Sequence, residues 1–216
     1  LEEIVKLKER VETQENQSEF IKELVRGLDD ESSAGDIKKY KDRIYAVVAR
    51  IEEILSDIKE EDGTLKKFTK IQQKEMEVIG QEMADLTFNR KIINSFVEPV
   101  KKYFLQFKEL FEQQDRIFKF LEVKDSEDYK VLYDKIMEDD NFKRQFAKDL
   151  FTTDAKIEQL IRNQEDILRK LRRLSLDAGM EFEDIEKVFN IIQNGEEKAD
   201  YAKARLVEAL SLIHIS

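Results

Sequence analysis

The sequence predicts an all-α protein, built as a bundle of long amphipathic helices that opens with an antiparallel helical hairpin. Three observations carry this. One proline and six glycines in 216 residues leave few breaks. With 40% of residues charged and 41% hydrophobic, the composition matches long helices and coiled coils. Apolar residues recur at steps of three and four along most of the chain, the period of a helix with one buried face. A chain of this length buries roughly 70% of its unfolded surface, enough for one or two domains with real cores.

In the first segment Ile4, Leu7, Val11, Gln14, Ser18, Ile21, Val25 and Leu28 take coiled-coil spacing, with a polar middle. Gly27 and the run from Leu28 to Asp36 supply turn residues, and Asp36 is the expected N-cap of a second helix. Its seam is Ile37, Tyr40, Ile44, Val47, Ile51, Ile54 and Ile58. A connector this short favours antiparallel neighbours, so residues 1–62 are expected to form a hairpin. Asp62-Gly63 then ends it, and Thr64 caps a long third helix carrying Leu65, Phe68, Ile71, Met76, Ile79, Met83, Leu86 and Ile93. Pro99 lacks an N–H and biases Glu98 away from helical angles, so a kink or restart is expected there.

The fourth helix is aromatic. Val100, Phe104, Phe107, Phe111, Phe118 and Leu121 mark one face, widened by Tyr103, Leu110, Ile117 and Phe120. Such a face must be covered, and it is the expected main core. Short helices follow over 127–137 and 142–151, opened by Asp125-Ser126 and by the turn Asp139-Asp140-Asn141. Thr152-Thr153-Asp154 restart the chain into a helix from Ala155 to Ala178, with Ile157, Leu160, Ile161, Ile167, Leu168, Leu171 and Leu174 inward and Gly179 as its C-cap. Ile185, Val188, Phe189 and Ile192 define the next helix, which Asn194-Gly195 is expected to stop. Glu196-Glu197 open a last one, whose narrow stripe is Ala199, Ala202, Leu206 and Ala209.

Several functional classes are excluded at this level. A net charge of −10 argues against a broad grip on nucleic acid, which depends on neutralising phosphates with Lys and Arg. Without cysteine there is no disulfide, thiolate metal site or thiol nucleophile. His214 is the only histidine, so the Glu-x-x-His pairs of a carboxylate-bridged metal centre cannot be assembled. There is no Gly-rich phosphate loop, HExxH or nucleophile elbow. No enzyme activity, cofactor, metal or small-molecule substrate is therefore expected. No run approaches about 20 apolar residues, and the N-terminus lacks the apolar core of a signal peptide, so the expected location is cytoplasmic with no membrane partner. The phenylalanines lack interleaved cations and there is no tryptophan, so they read as core rather than as a base-stacking platform. The start at Leu1 rather than a methionine leads us to expect a fragment.

Gly195-Glu196, Lys198-Ala199, Ala202-Lys203 and Leu206-Val207-Glu208-Ala209 resemble the lead-in to the conserved core-binding region of the primary, housekeeping sigma factors of bacterial RNA polymerase. In that family the pattern continues as Asn-Leu-Arg-Leu-Val into helices that bind the polymerase and open the promoter. The family also carries a helical insert before this region, and Met83 to Ala209 is similar to its C-terminal half in order and spacing. The polar Gln113-Gln114-Asp115-Arg116 and the long helix ending at Gly179 belong to that similarity. The resemblance implies the helical non-conserved sigma domain at 63–195 and the start of the core-binding region at 196–209; the hairpin expected at 1–62 carries no motif of the family and is assigned to the variable insert by position alone. Residues 210–216 (LSLIHIS) depart from the family and resemble the translation of a sequencing adapter, so they are expected to be non-native.

The resemblance implies a transcription initiation factor whose partners are core RNA polymerase, through its largest subunits, and promoter DNA through the intact protein. One basic patch stands out in an otherwise acidic chain: Arg169, Lys170, Arg172 and Arg173. It is the candidate contact with DNA phosphates or an acidic polymerase surface. Cations near a helix C-terminus also complement the dipole and cover apolar surface with their stems, the plainer explanation. A reading from another class is a stand-alone coiled-coil scaffold, for which the seams of 1–58 argue.

Overall fold

The computed structural model describes residues 2–29, 31–59 and 69–215, with side chains described over 4–29, 31–59 and 69–205. The protein is all-α. Among the described residues there are nine helices: α1 Glu2–Glu12, α2 Gln17–Leu24, α3 Ala34–Ile58, α4 Lys70–Asp85, α5 Arg90–Phe120, α6 Ser126–Glu138, α7 Asp140–Asp149, α8 Asp154–Ala178 and α9 Phe182–Ile215. They fall into two compact units, Leu1–Val100 and Lys101–Ser216. The division lies elsewhere than the boundaries expected after residues 62 and 195.

In the first unit, the single first helix expected from the sequence is interrupted between α1 and α2. Polar Gln14 and Ser18 leave the seam weak there, and Asn16 takes over as N-cap, its side chain accepting from the Glu19 N–H at 3.3 Å. Both pieces pack on α3, burying Leu7, Val11, Ile21 and Leu24 with Ile44 and Val48. Lys8 approaches Glu52 at 3.6 Å and Lys41 donates to Gln17 at 2.6 Å, so the two strands of the pairing run in opposite directions. The hairpin is antiparallel, with a broken first arm. The cap of α3 is Ser33 rather than Asp36. Asp36 lies three residues on, where its N–H donates to the Ser33 hydroxyl and its carboxylate accepts from it at 2.7 Å.

The expected start of the third helix, Asp62-Gly63, Thr64, Leu65 and Phe68, lies outside the described residues. Helix α4 is opened by Thr69 and Gln72 in a reciprocal capping box. It stops well before Pro99, because Leu86 and Phe88 are drawn into the core at a turn where Thr87 takes φ 47°. Here the Arg26 N–H donates to the Thr87 carbonyl at 2.9 Å and the Asn89 N–H to the Leu24 carbonyl at 2.7 Å, joining this turn to the end of α2. Arg50 on α3 forks onto Glu75 and Glu82 of α4 at 3.2 and 2.9 Å. Two residues expected inside are outside: Ile71 and Ile93 are exposed, while Ile79 carries the α4 contact.

Pro99 does not break the chain. It lies inside the 31-residue helix α5. An interior proline costs about 3 kcal/mol, but the helix buries Ile92 before it and Phe107, Ile117 and Phe118 after it, and burial of one large side chain alone contributes about 1.5–3 kcal/mol. Packing outweighs the local penalty. The division into units falls one residue after this proline, between Val100 and Lys101.

In the second unit, α6, α7 and α8 are capped by Asp125, Asp139 and Thr153, and Gly179 closes α8 with φ 63°. Their core joins Ile117, Leu121, Tyr129, Ile136, Ala147, Ile157, Leu160, Ile161 and Ile167. A second group is aromatic: Phe104 of α5 stacks on Phe189 of α9 at 3.8 Å between ring centroids, and Phe111 meets Phe182 edge-on at 4.7 Å. Leu168 and Phe120, placed inward by periodicity, are exposed. Asn194-Gly195 does not stop α9, which continues through both residues.

Phe151 ends α7 in a left-handed conformation, φ 53°, with its side chain 99% exposed. Thr152 N–H closes the cap by donating to the Ala147 carbonyl at 2.8 Å. A side chain with a Cβ costs roughly 1 kcal/mol in this conformation, and this one recovers nothing by burial. Phe151→Gly is therefore expected to stabilise the protein by about 0.5–1 kcal/mol, read as a higher urea midpoint; a lower midpoint would show that the ring contributes to folding.

Candidate functional site

Helix α8 presents two faces. Ile157, Leu160, Ile161, Gln164 and Ile167 are buried, and Leu171 is half-buried against the same core. On the other side Arg169, Lys170, Arg172 and Arg173 are all exposed. Leu168 at 47% and Leu176 at 53% exposure flank Arg172 at helical steps of four, so cations and apolar side chains share one solvent-facing stripe. The last turn of α8 contains no basic residue. Dipole effects fade within that turn, so complementing the helix end does not account for a cluster placed further back.

The cations differ in what surrounds them. Arg169 donates to Asp166, and this hydrogen bond and the charge behind it hold the Asp166 carboxyl below its ordinary range, with Lys170 adding to the effect. Among the described residues, neither Arg172 nor Arg173 makes an ion pair. Their charge is available to a partner. Such a stripe can bind phosphates or carboxylates by charge and an apolar surface by contact. Among the described residues no group of three His, Asp or Glu side chains is placed to hold a metal ion. His214 and the side chains of 206–216 lie outside the described residues. Among the described residues, no helix is long and apolar enough to cross a membrane.

The sigma-like signature lies on a different helix, α9. Gly195 faces open space. Glu196 is half-buried and accepts from Lys101 Nζ with both oxygens, at 2.8 Å each. Ala199 and Ala202 are exposed, and Lys203 pairs with Asp200 at 3.0 Å. Val207, Glu208 and Ala209 continue the helix, with side chains outside the described residues. Sequence reasoning missed Lys101, whose partner lies 95 residues away with no local pattern to announce it. It also missed the Tyr103 hydroxyl, which donates to the Asp177 carbonyl at 3.2 Å next to the end of α8. The exposed Leu168 and Leu176 had a signal, since they repeat at eight residues in step with Arg172.

No protein-family model, curated protein or solved structure matches the chain.

Proposed function

We propose that the chain is part of a primary sigma factor, comprising the helical insert and the opening of the core-binding region, and that it acts in transcription initiation without catalytic residues. One observation carries this reading. The residues of the sigma-like signature from Ala199 to Lys203 occupy a part of α9 that its own chain leaves exposed, so small side chains are offered to another surface. The small side chains of Ala199 and Ala202 let a partner helix approach closely, with exposed Tyr201 beside them.

The coiled-coil alternative draws less support. Ile44, Val47, Ile51, Ile54 and Ile58 of its best seam are each at most 3% exposed within the chain itself. A seam already buried against α1, α2 and α4 has little left for a second chain. On the sigma reading the partner is core RNA polymerase, through its largest subunits, and promoter DNA is met by the intact protein. The stripe carrying Arg172 and Arg173 is then the contact with phosphates at the upstream edge of the opened region.

Capture of purified core RNA polymerase by the completed open reading frame tests the assignment, and no capture sinks it. Reversing Arg169, Arg172 and Arg173 to Glu in the full-length factor tests the stripe. Upstream promoter binding is expected to weaken about tenfold or more, with a shallower salt dependence, because each lost phosphate contact removes about 0.9 from the slope of log K against log salt. Unchanged binding and slope would leave the stripe without a role on DNA.

A further inference from the structure

We infer that Asn194-Gly195 is a hinge inside α9, held straight by the grip of Lys101 on Glu196. Glycine disfavours a helix interior by about 1 kcal/mol relative to alanine and asparagine is a weak helix former, yet both lie in the interior of a 34-residue helix. No close packing demands the glycine: a Cβ at Gly195 would meet nothing within 4 Å. Alanine would fit and would favour the helix, so the glycine weakens α9 at a place where the fold does not need it.

Burial changes at the same point. Before it, Ile185 is 2% exposed and Phe182, Val188, Phe189 and Ile192 are half-buried. After it, every residue from 197 to 205 is exposed. The helix thus passes from a segment held by packing to one that packing does not hold, and the weakest backbone position lies at the crossing. Glu196, the first residue beyond the glycine, is held by Lys101 through both carboxylate oxygens. That ion pair joins α9 to α5 just past the hinge. With it formed the helix continues straight; with it broken, residues 197–205 can depart while Ile185 and the aromatic stack stay in place. The hinge is a property of this chain alone, and it governs how the exposed Ala199–Lys203 surface is carried whatever partner meets that surface.

Amide hydrogen exchange on the 216-residue chain reads this directly. In the wild type, protection is expected to fall by tenfold or more in a step at 194–195, rather than in a smooth decline toward the C-terminus. Gly195→Ala should slow exchange of 197–205 about fivefold, the ratio that corresponds to the Gly-to-Ala helix preference, and leave 185–192 unchanged. Lys101→Met should speed exchange of 197–205 severalfold, again without moving 185–192. Gly80→Ala, at the other helical glycine with open space around it, is the control and should alter only α4. A smooth gradient in the wild type overturns the hinge, as does a Gly195→Ala variant with unchanged exchange beyond residue 195. Unchanged exchange in Lys101→Met would overturn the latch.

Discussion

Phe107→Ala is expected to destabilise the second unit by about 3–5 kcal/mol, the range for removing a large buried aromatic and leaving a cavity. The ring is 1% exposed and lies 5.7 Å from Phe182 and 6.4 Å from Phe111, so its loss uncovers the base on which α9 rests. Ring pairs add about 0.5–1.5 kcal/mol each beyond area burial, which places the effect toward the upper end. With urea slopes of about 1–3 kcal/mol per molar, the midpoint should fall by more than 1 M. A loss below 1 kcal/mol would mean that the aromatic face of α5 is not the core it is taken to be.

Ile51→Ala should cost the first unit about 2–5 kcal/mol. Ile51 is fully buried between Val47, Ile54 and Ile79, where α3 meets α4. The neighbouring Arg50 fork cannot compensate, because its carboxylate partners are about 40% exposed and such pairs contribute little. Exchange monitored amide by amide distinguishes the two variants. Ile51→Ala should lower protection across 4–59 and 69–100, and Phe107→Ala across 101–205. Equal loss in both regions from either substitution would show one cooperative body rather than two units.

How much was legible in the sequence follows from what each signal measures. Caps were legible where the capping side chain and the following hydrophobic run agree, as at Asp125, Thr153 and Gly179. The seam of α3 was legible because its apolar positions are unbroken. Breakers were misread in both directions: Pro99 and Asn194-Gly195 sit inside helices, while the chain turns at Leu86–Asn89 with neither glycine nor proline present. A breaker carries about 1–3 kcal/mol, and tertiary burial of a few side chains exceeds it. Pro99 is overridden because α5 buries large side chains on either side of it, and Thr87 is driven into a left-handed turn because Leu86 and Phe88 both enter the core.

The candidate site divides the same way. The cluster from Arg169 to Arg173 was visible as a run of charge, and its exposed setting follows from helical spacing. Periodicity places Leu168 inward beside Ile167, although its spacing of four from Arg172 and eight from Leu176 is the signal that puts it in the exposed stripe. Glu196 reads only as a helix opener and signature residue, and nothing announces its pairing with Lys101. Pairing across long stretches of chain is specified by the fold, and nothing local records it.

The connection between Lys101 and Glu196 has a further consequence, for the order in which structure can form. Most packing here joins helices that follow one another, as when Lys143 of α7 meets Glu158 of α8 across 15 residues. Loop-closure entropy grows by about 0.6 kcal/mol for each doubling of length, so closing 66 residues between Glu23 and Asn89, or 95 between Lys101 and Glu196, costs about 1.3–1.6 kcal/mol more than that local step. The closures between neighbouring helices are the inexpensive ones and are expected first. On loop entropy alone, the grip on α9 is expected among the last contacts to form.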